Sequence, residues 1–161
     1  MLRQLTSADI EMFNDIRTEA IRTNPESFGS PEEEHGGDAQ RQAYLCWLSG
    51  DVWGAFEDQN LIGVAGFYIT QDKRVTHRGN LFTVYVRPAS RGQGMGDLLI
   101  KKILSVAEKR VDQMKLMVVT TAIPAIKTYL SNGFEFYGRD RGAFRVNDAS
   151  YDEYLMIKKF R

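Results

Sequence analysis

Residues 80–97 read Asn80-Leu81-Phe82-Thr83-Val84-Tyr85-Val86-Arg87-Pro88-Ala89-Ser90-Arg91-Gly92-Gln93-Gly94-Met95-Gly96-Asp97, and the rest of the chain is organised around them. Asn80 to Val86 is β-branched and aromatic, the strongest strand signal in the sequence. Pro88 ends it. Gly94 to Arg110 has helical spacing and predicts an inward stripe of Leu98, Leu99, Ile103, Val106 and Ala107. Between strand and helix, glycines permit positive φ and let backbone amides approach a ligand closely. The helix start offers unsatisfied N–H groups and a positive dipole end, which suits a phosphate. Arg91 adds a charge-assisted donor. Two phosphate-binding turns do not fit. A Walker A loop needs Lys-Ser/Thr after its glycines. A dinucleotide fingerprint needs Gly-x-Gly-x-x-Gly, and here Gly92 and Gly94 are followed by Asp97 at the third position. The spacing is Arg91-x-x-Gly94-x-Gly96. A tight strand-to-helix turn that binds nothing is the competing reading.

Upstream, Thr6 or Ser7 can cap a helix from about Ala8 to Arg22, with Ile10, Phe13, Ile16 and Ala20 as its buried stripe. Glu26 to Asp38 reads as loop, and a second helix spans about Asp38 to Leu48. Val52 to Phe56 and Leu61 to Thr70 form a hairpin around Glu57-Asp58-Gln59-Asn60. Downstream come a strand at Leu116 to Thr120, a helix at Ala122 to Ser131, and strands at Phe134 to Tyr137 and Tyr151 to Ile157. This order predicts mixed α/β architecture around one sheet, with a parallel strand–helix–strand unit at its centre.

The chain has 161 residues, 43% hydrophobic and 26% charged, which predicts one domain spanning 1–161 with a substantial core. Lys+Arg and Asp+Glu both number 21, so the net charge gives no footprint for nucleic acid. The one cysteine, Cys46, has no disulfide partner and reads as core on an amphipathic helix. No Cys/His cluster predicts a metal site. The N-terminus lacks a signal-peptide pattern and no apolar run reaches a membrane-spanning length, so a cytoplasmic protein is expected.

The Arg91-x-x-Gly94-x-Gly96 turn resembles the signature of the Gcn5-related N-acetyltransferase (GNAT) superfamily. The likeness continues through Leu116 to Thr120 and Ala125-Ile126-Lys127-Thr128-Tyr129-Leu130-Ser131-Asn132-Gly133-Phe134. Leu2 to Asp9, Gly63 to Phe67 and Tyr154 to Lys159 are similar to the family's opening strand and helix, third strand and last strand. The resemblance implies a mixed, mostly antiparallel sheet with a central, splayed parallel strand pair and flanking helices. It implies an acetyltransferase using acetyl-CoA, with a primary amine attacking directly and no metal. Val84, Tyr85 and Val86 would present backbone groups to the acetyl and pantetheine portions. Arg91, Gly92, Gln93, Gly94, Met95 and Gly96 would wrap the pyrophosphate. Tyr129 matches the family's proton donor to the departing thiolate. The family often has Asn where Ala122 stands, and a small or neutral residue where Asp97 stands.

The general base is less determined. His77 precedes the central strand, and an ordinary histidine changes charge near neutral pH. Glu32, Glu33 and Glu34 follow the first helix, where this fold commonly borders the acceptor, and an acidic rim would favour a cationic amine; a solvated charge run is the plainer reading. The acceptor is a small-molecule or protein amine, and homodimers are common in the superfamily. A catalytically weak acyl-CoA-binding or sensing module is the alternative from a different functional class.

Overall fold

The computed structural model describes all 161 residues. Its strands are β1 (Leu2–Gln4), β2 (Asp51–Glu57), β3 (Asn60–Ile69), β4 (Arg78–Val86), β5 (Gln113–Val119), β6 (Glu135–Val146) and β7 (Ala149–Lys159). They make one seven-stranded sheet in the order β1-β2-β3-β4-β5-β7-β6. The helices are α1 (Ile10–Thr23), α2 (Pro31–His35), α3 (Gly37–Leu48), α4 (Met95–Ala107) and α5 (Ile123–Ser131). Every strand pair is antiparallel except β4–β5, which α4 connects as the crossover. No helix is long and apolar enough to cross a membrane.

Two apolar clusters cover the two faces of the sheet. On one face α4 and α5 bury Leu99, Ile100, Ile103 and Ile126 against Phe67, Leu116 and Met156. On the other, α1 and α3 bury Phe13, Ile16, Tyr44 and Leu48 against Val52, Val64 and Tyr85. The entry to α1 follows its sequence signal. Thr6 accepts from the Ala8 amide while Asp9 accepts from the Thr6 amide at 2.8 Å, a reciprocal cap across a short 3₁₀ turn at Ser7–Asp9. Asp9 also takes a two-pronged bond from Arg3 at 2.8 and 3.0 Å, tying β1 to that turn.

Several sequence expectations shift. Within the expected loop Glu26 to Asp38, Ser30 caps a short helix whose second helical residue is Glu32, so the acidic run is helical. The stripe of α4 is Leu99, Ile100, Ile103, Leu104 and Ala107; Leu98 is 48% exposed because it lies one step, about 100°, off that face. Cys46 is exposed rather than core, since α3 buries Tyr44 and Leu48 and the residue midway between them faces outward. The expected strand Phe134 to Tyr137 continues to Val146 through two register breaks against β7.

One buried ion pair fastens the three N-terminal helices together. Arg17 of α1 donates from Nε and Nη2 to the two carboxylate oxygens of Glu33 on α2, at 2.9 and 2.5 Å, and their side chains are 6% and 3% exposed. The Tyr44 hydroxyl of α3 donates to Glu33 Oε2 at 2.5 Å. Burial pushes the Glu33 carboxyl's proton affinity up, but the Arg17 and Tyr44 hydrogen bonds outweigh it and hold the group below the ordinary glutamate value. Burial, then the Glu33 carboxylate, keep the Tyr44 phenol protonated as a donor. Because Arg17 cannot shed its charge, Glu33→Gln strands a buried cation, a loss on the order of 3–5 kcal/mol. Urea unfolding at pH 7 measures this difference. The stabilisation is complete above the ordinary glutamate value and fades as pH falls through Glu33's depressed value. Below that value the parent and variant should converge.

Candidate active site

The parallel pair β4–β5 is joined only at Arg78↔Gln113, Gly79↔Met114 and Asn80↔Lys115. Beyond Asn80 the two strands part. β4 stays with β3 as far as Val86, and β5 stays with β7 as far as Val119. A gap therefore opens in the middle of the sheet on the carboxyl-end side of both strands. Partway along it β4 carries a bulge. Val64 pairs with Tyr85 and Gly66 with Phe82, so Thr83 and Val84 together stand against Ala65. Thr83 has φ +53, a strained position for a β-branched residue, costing about 1–3 kcal/mol. Past the bulge, the Arg87 amide donates to Ile62 O at 2.8 Å. Strand alternation then turns the backbone groups of Tyr85 toward β3, and those of Val84 and Val86 into the gap.

The glycine turn sits at the gap's open end. From Gly92 through Asp97, six successive amide N–H groups have no acceptor within the chain. Gly92 and Gly94 adopt φ +76 and +78, and a Cβ at either would meet nothing within 4 Å. Only glycine adopts this backbone without strain, and the resulting concave row of donors faces open space. The Arg91 Nε is already committed to Val86 O at 2.8 Å, and its guanidinium lies 5.4 Å from the Tyr85 ring centre; its terminal nitrogens remain free donors. Asp97 does not cap the helix. It accepts from Lys101 at 2.6 Å and Asn132 at 2.7 Å, and those bonds direct it along α4 toward the end of α5, away from the free amides. Lys101 first, then Asn132, hold its carboxyl below the ordinary aspartate value.

The expected cofactor residues converge. Val84 and Val86 pack their side chains against the α4–α5 cluster while their backbone groups face the gap. Tyr85 sends its hydroxyl the other way, to Glu19 Oε1 at 2.9 Å and within 3.3 Å of the Thr23 hydroxyl. Tyr129 is 7% exposed in the same cluster, its ring edge-on to Phe134 at 5.9 Å. Its hydroxyl has no partner in the chain, yet it is not one of the fully enclosed orphan atoms, which are Trp53 Nε1, Arg78 Nε and Gln113 Oε1. Burial raises its proton affinity above that of an ordinary tyrosine, so it stays protonated across the neutral range.

The acceptor-side expectations fare differently. His77 is exposed at the amino end of β4, where its carbonyl takes the Asp112 amide and the parallel pair is still closed. About six residues of extended strand, roughly 20 Å, separate it from the bulge. It is therefore at the wrong end of β4 for a base. Of the acidic run, Glu33 is consumed by Arg17 and Tyr44, while Glu32 and Glu34 stay exposed. Ala122 supplies no side-chain cap to α5. Sequence reasoning missed Glu153. It lies opposite Val119 in the β5–β7 pair, at the end of the gap, on the face opposite Met156 and hence away from α4 and α5. Burial, and then Asp140 across the β6–β7 pair, raise its carboxyl above the ordinary glutamate value. No periodicity signal marks such a residue, because its significance depends on which strand β7 joins.

Residues 13–134 match the model of the acetyltransferase (GNAT) family. An uncharacterized N-acetyltransferase of Schizosaccharomyces pombe is 43% identical over 53 residues, a match that spans 32% of each chain. The fold is shared with a GNAT-family acetyltransferase from Streptococcus pneumoniae at TM-score 0.81 and 21% identity, covering 99% of this chain and 98% of that one. It is shared with a ribosomal-protein-alanine N-acetyltransferase from Brucella melitensis at TM-score 0.81 and 22% identity, over 99% of both chains. The structure of yncA from Salmonella typhimurium with its cofactor acetyl-CoA aligns at TM-score 0.85 and 18% identity, over 100% of this chain and 94% of that one. The family match spans the bulged strand, the glycine turn and Tyr129, and the chain belongs to the acetyltransferase (GNAT) family.

Proposed function

We propose that the protein transfers an acetyl group from acetyl-CoA to a primary amine by direct attack. The observation that carries this reading is the half-opened β4–β5 pair, whose free strand edge leads into six open amides. The residues present fit the donor. The amides from Gly92 to Asp97 and the terminal nitrogens of Arg91 suit a pyrophosphate, and the backbone groups of Val84 with the Val86 N–H suit the amide-bearing pantetheine arm. Acetyl-CoA supplies an acyl group already activated as a thioester. The Val84 N–H, aimed into the gap by the bulge, stabilises negative charge developing on the carbonyl oxygen. The Tyr129 hydroxyl donates a proton to the departing sulfur. Cys46 faces outward on α3 and takes no part, consistent with attack without a covalent acyl-enzyme.

For the base we assign Glu153 in place of His77, acting directly or through one water. Its raised proton affinity brings it nearer the range in which a carboxylate can take a proton from an ammonium. Glu32 and Glu34 are the members of the acidic run left free to draw a cationic acceptor, on a small molecule or a protein.

Four outcomes test this reading. Gly94→Glu adds charge and side-chain bulk where a Cβ meets no other atom of the chain, so the fold should persist while calorimetric binding of acetyl-CoA disappears. Binding at the parent's affinity by the folded variant would remove the turn from the site. Tyr129→Phe deletes a hydroxyl that bonds nothing in the chain. Its kcat should fall about 10²–10⁴-fold while acetyl-CoA affinity stays within a few-fold. A folded parent that binds acetyl-CoA yet releases no free thiol with a broad amine panel would favour the sensing module instead. Glu153 works deprotonated, so kcat/KM should drop as pH falls through a value above the ordinary glutamate range. Glu153→Gln should remove that acid limb and lower the plateau about 10²-fold or more; an unchanged profile would exclude it as the base.

A further inference from the structure

Thr83 is an anomaly that the glycine turn and Tyr129 do not explain. Of the four non-glycine residues at positive φ, Asp58, Asn147 and Asp148 occupy the hairpin turns, where Asx residues are at home. Thr83 alone lies inside a strand, and it alone is β-branched. Something must hold it there, since bulged backbone in this conformation persists only when its surroundings over-determine it. The surroundings are on α1. Arg17 Nη1 donates to Thr83 Oγ1 at 3.4 Å. The same guanidinium is fixed by two bonds to Glu33 and lies 5.5 Å from the ring centres of both Phe28 and Trp47. A planar fork pinned at two donors has no freedom left in its third. Two further residues on that side, Tyr85 of β4 and Arg87 just past its end, are tied to α1 as well. Tyr85 donates to Glu19, and Arg87 donates to Glu19 and Asp15 at 2.6 Å each.

We propose that Arg17 is a positioning residue for acyl transfer. Locked by Glu33, it clamps the Thr83 bulge of β4 from the α1 side of the sheet and so aims the Val84 amide into the gap. This rests on the acyl-transfer reading above. Glu33 then has a role different from that of an acceptor-binding acid: it neutralises and orients the clamp.

The test compares Thr83→Val, which keeps the shape but removes the acceptor oxygen, with Thr83→Ser, which keeps the oxygen. Arg17→Lys retains the charge beside Glu33 but is a single point donor that cannot span both partners. The readout is the infrared carbonyl stretch of bound [1-¹³C]acetyl-CoA, with calorimetric affinity and kcat alongside. In the parent, polarisation by the Val84 amide should lower the stretch relative to free acetyl-CoA. In Thr83→Val and Arg17→Lys it should move back toward the free value, and kcat should fall about tenfold or more at an affinity within about threefold of the parent. Thr83→Ser should keep the parent's stretch and rate. If Thr83→Val fails to fold, Arg17→Lys carries the comparison alone. A parent-like stretch and kcat in the folded variants, or a rate loss that only tracks weakened binding, would overturn the clamp. A parent that does not bind acetyl-CoA would overturn the acyl-transfer reading itself, a result distinct from bound acetyl-CoA with an indifferent carbonyl.

Discussion

The structure depends on a strand pair that stops early. β4 and β5 run parallel for three residue pairs and then separate. Unpaired backbone inside a protein is costly, because each peptide group gives up hydrogen bonds to water without replacement. The fold meets that cost by leaving the gap at the sheet's carboxyl end, where the strands give way to the glycine turn and the start of α5. Crevices of this kind, outside the carboxyl ends of parallel strands, are where open α/β sheets receive ligands. The strands themselves remain anchored on their outer sides, β4 to β3 and β5 to β7, so the opening does not loosen the core.

A half-opened strand must also be kept from closing or wandering. The α4–α5 face does this by apolar packing, with Leu81, Val84 and Val86 set against the cluster beneath the two helices. The α1 face does it with polar contacts, gripping Thr83, Tyr85 and Arg87 in turn. The difference suits the two materials. Apolar contact fills space but fixes orientation weakly, whereas a guanidinium fork sets both distance and angle. The price is a buried ion pair, which stabilises little relative to an apolar substitute but destabilises strongly if one partner is lost.

Much of this was legible in the sequence where the cues are local. The strand Asn80 to Val86, the spacing Arg91-x-x-Gly94-x-Gly96 and the order of elements gave the sheet, the crossover and the gap. Long-range pairings were less visible. Arg17 and Glu33 are sixteen residues apart on different helices, and Glu33 stood in an acidic run that reads as solvated charge. The bulge ran against the local rule, since threonine favours ordinary extended backbone and nothing in Phe82-Thr83-Val84 announces positive φ. His77 was misplaced because the direction of β4, not its composition, decides which end meets the open amides. Leu98 lies a single helical step off the buried stripe and Cys46 two steps from both Tyr44 and Leu48, offsets that the neighbouring apolar residues conceal in the sequence.

The free amides of the glycine turn have a further consequence. Their aligned peptide dipoles suit an anion, with the free terminal nitrogens of Arg91 beside them. A site made of lysines gathers mobile counterions and loses grip as salt displaces the balance. Peptide groups carry no counterion cloud to release, and their short-range field dies away within a distance smaller than the screening length of physiological salt. The turn should therefore recognise an anion by shape and hydrogen-bond count more than by bulk attraction. That fits a chain whose charges balance to zero, and an anion held in this way would lose less affinity with rising salt than one held by lysines alone.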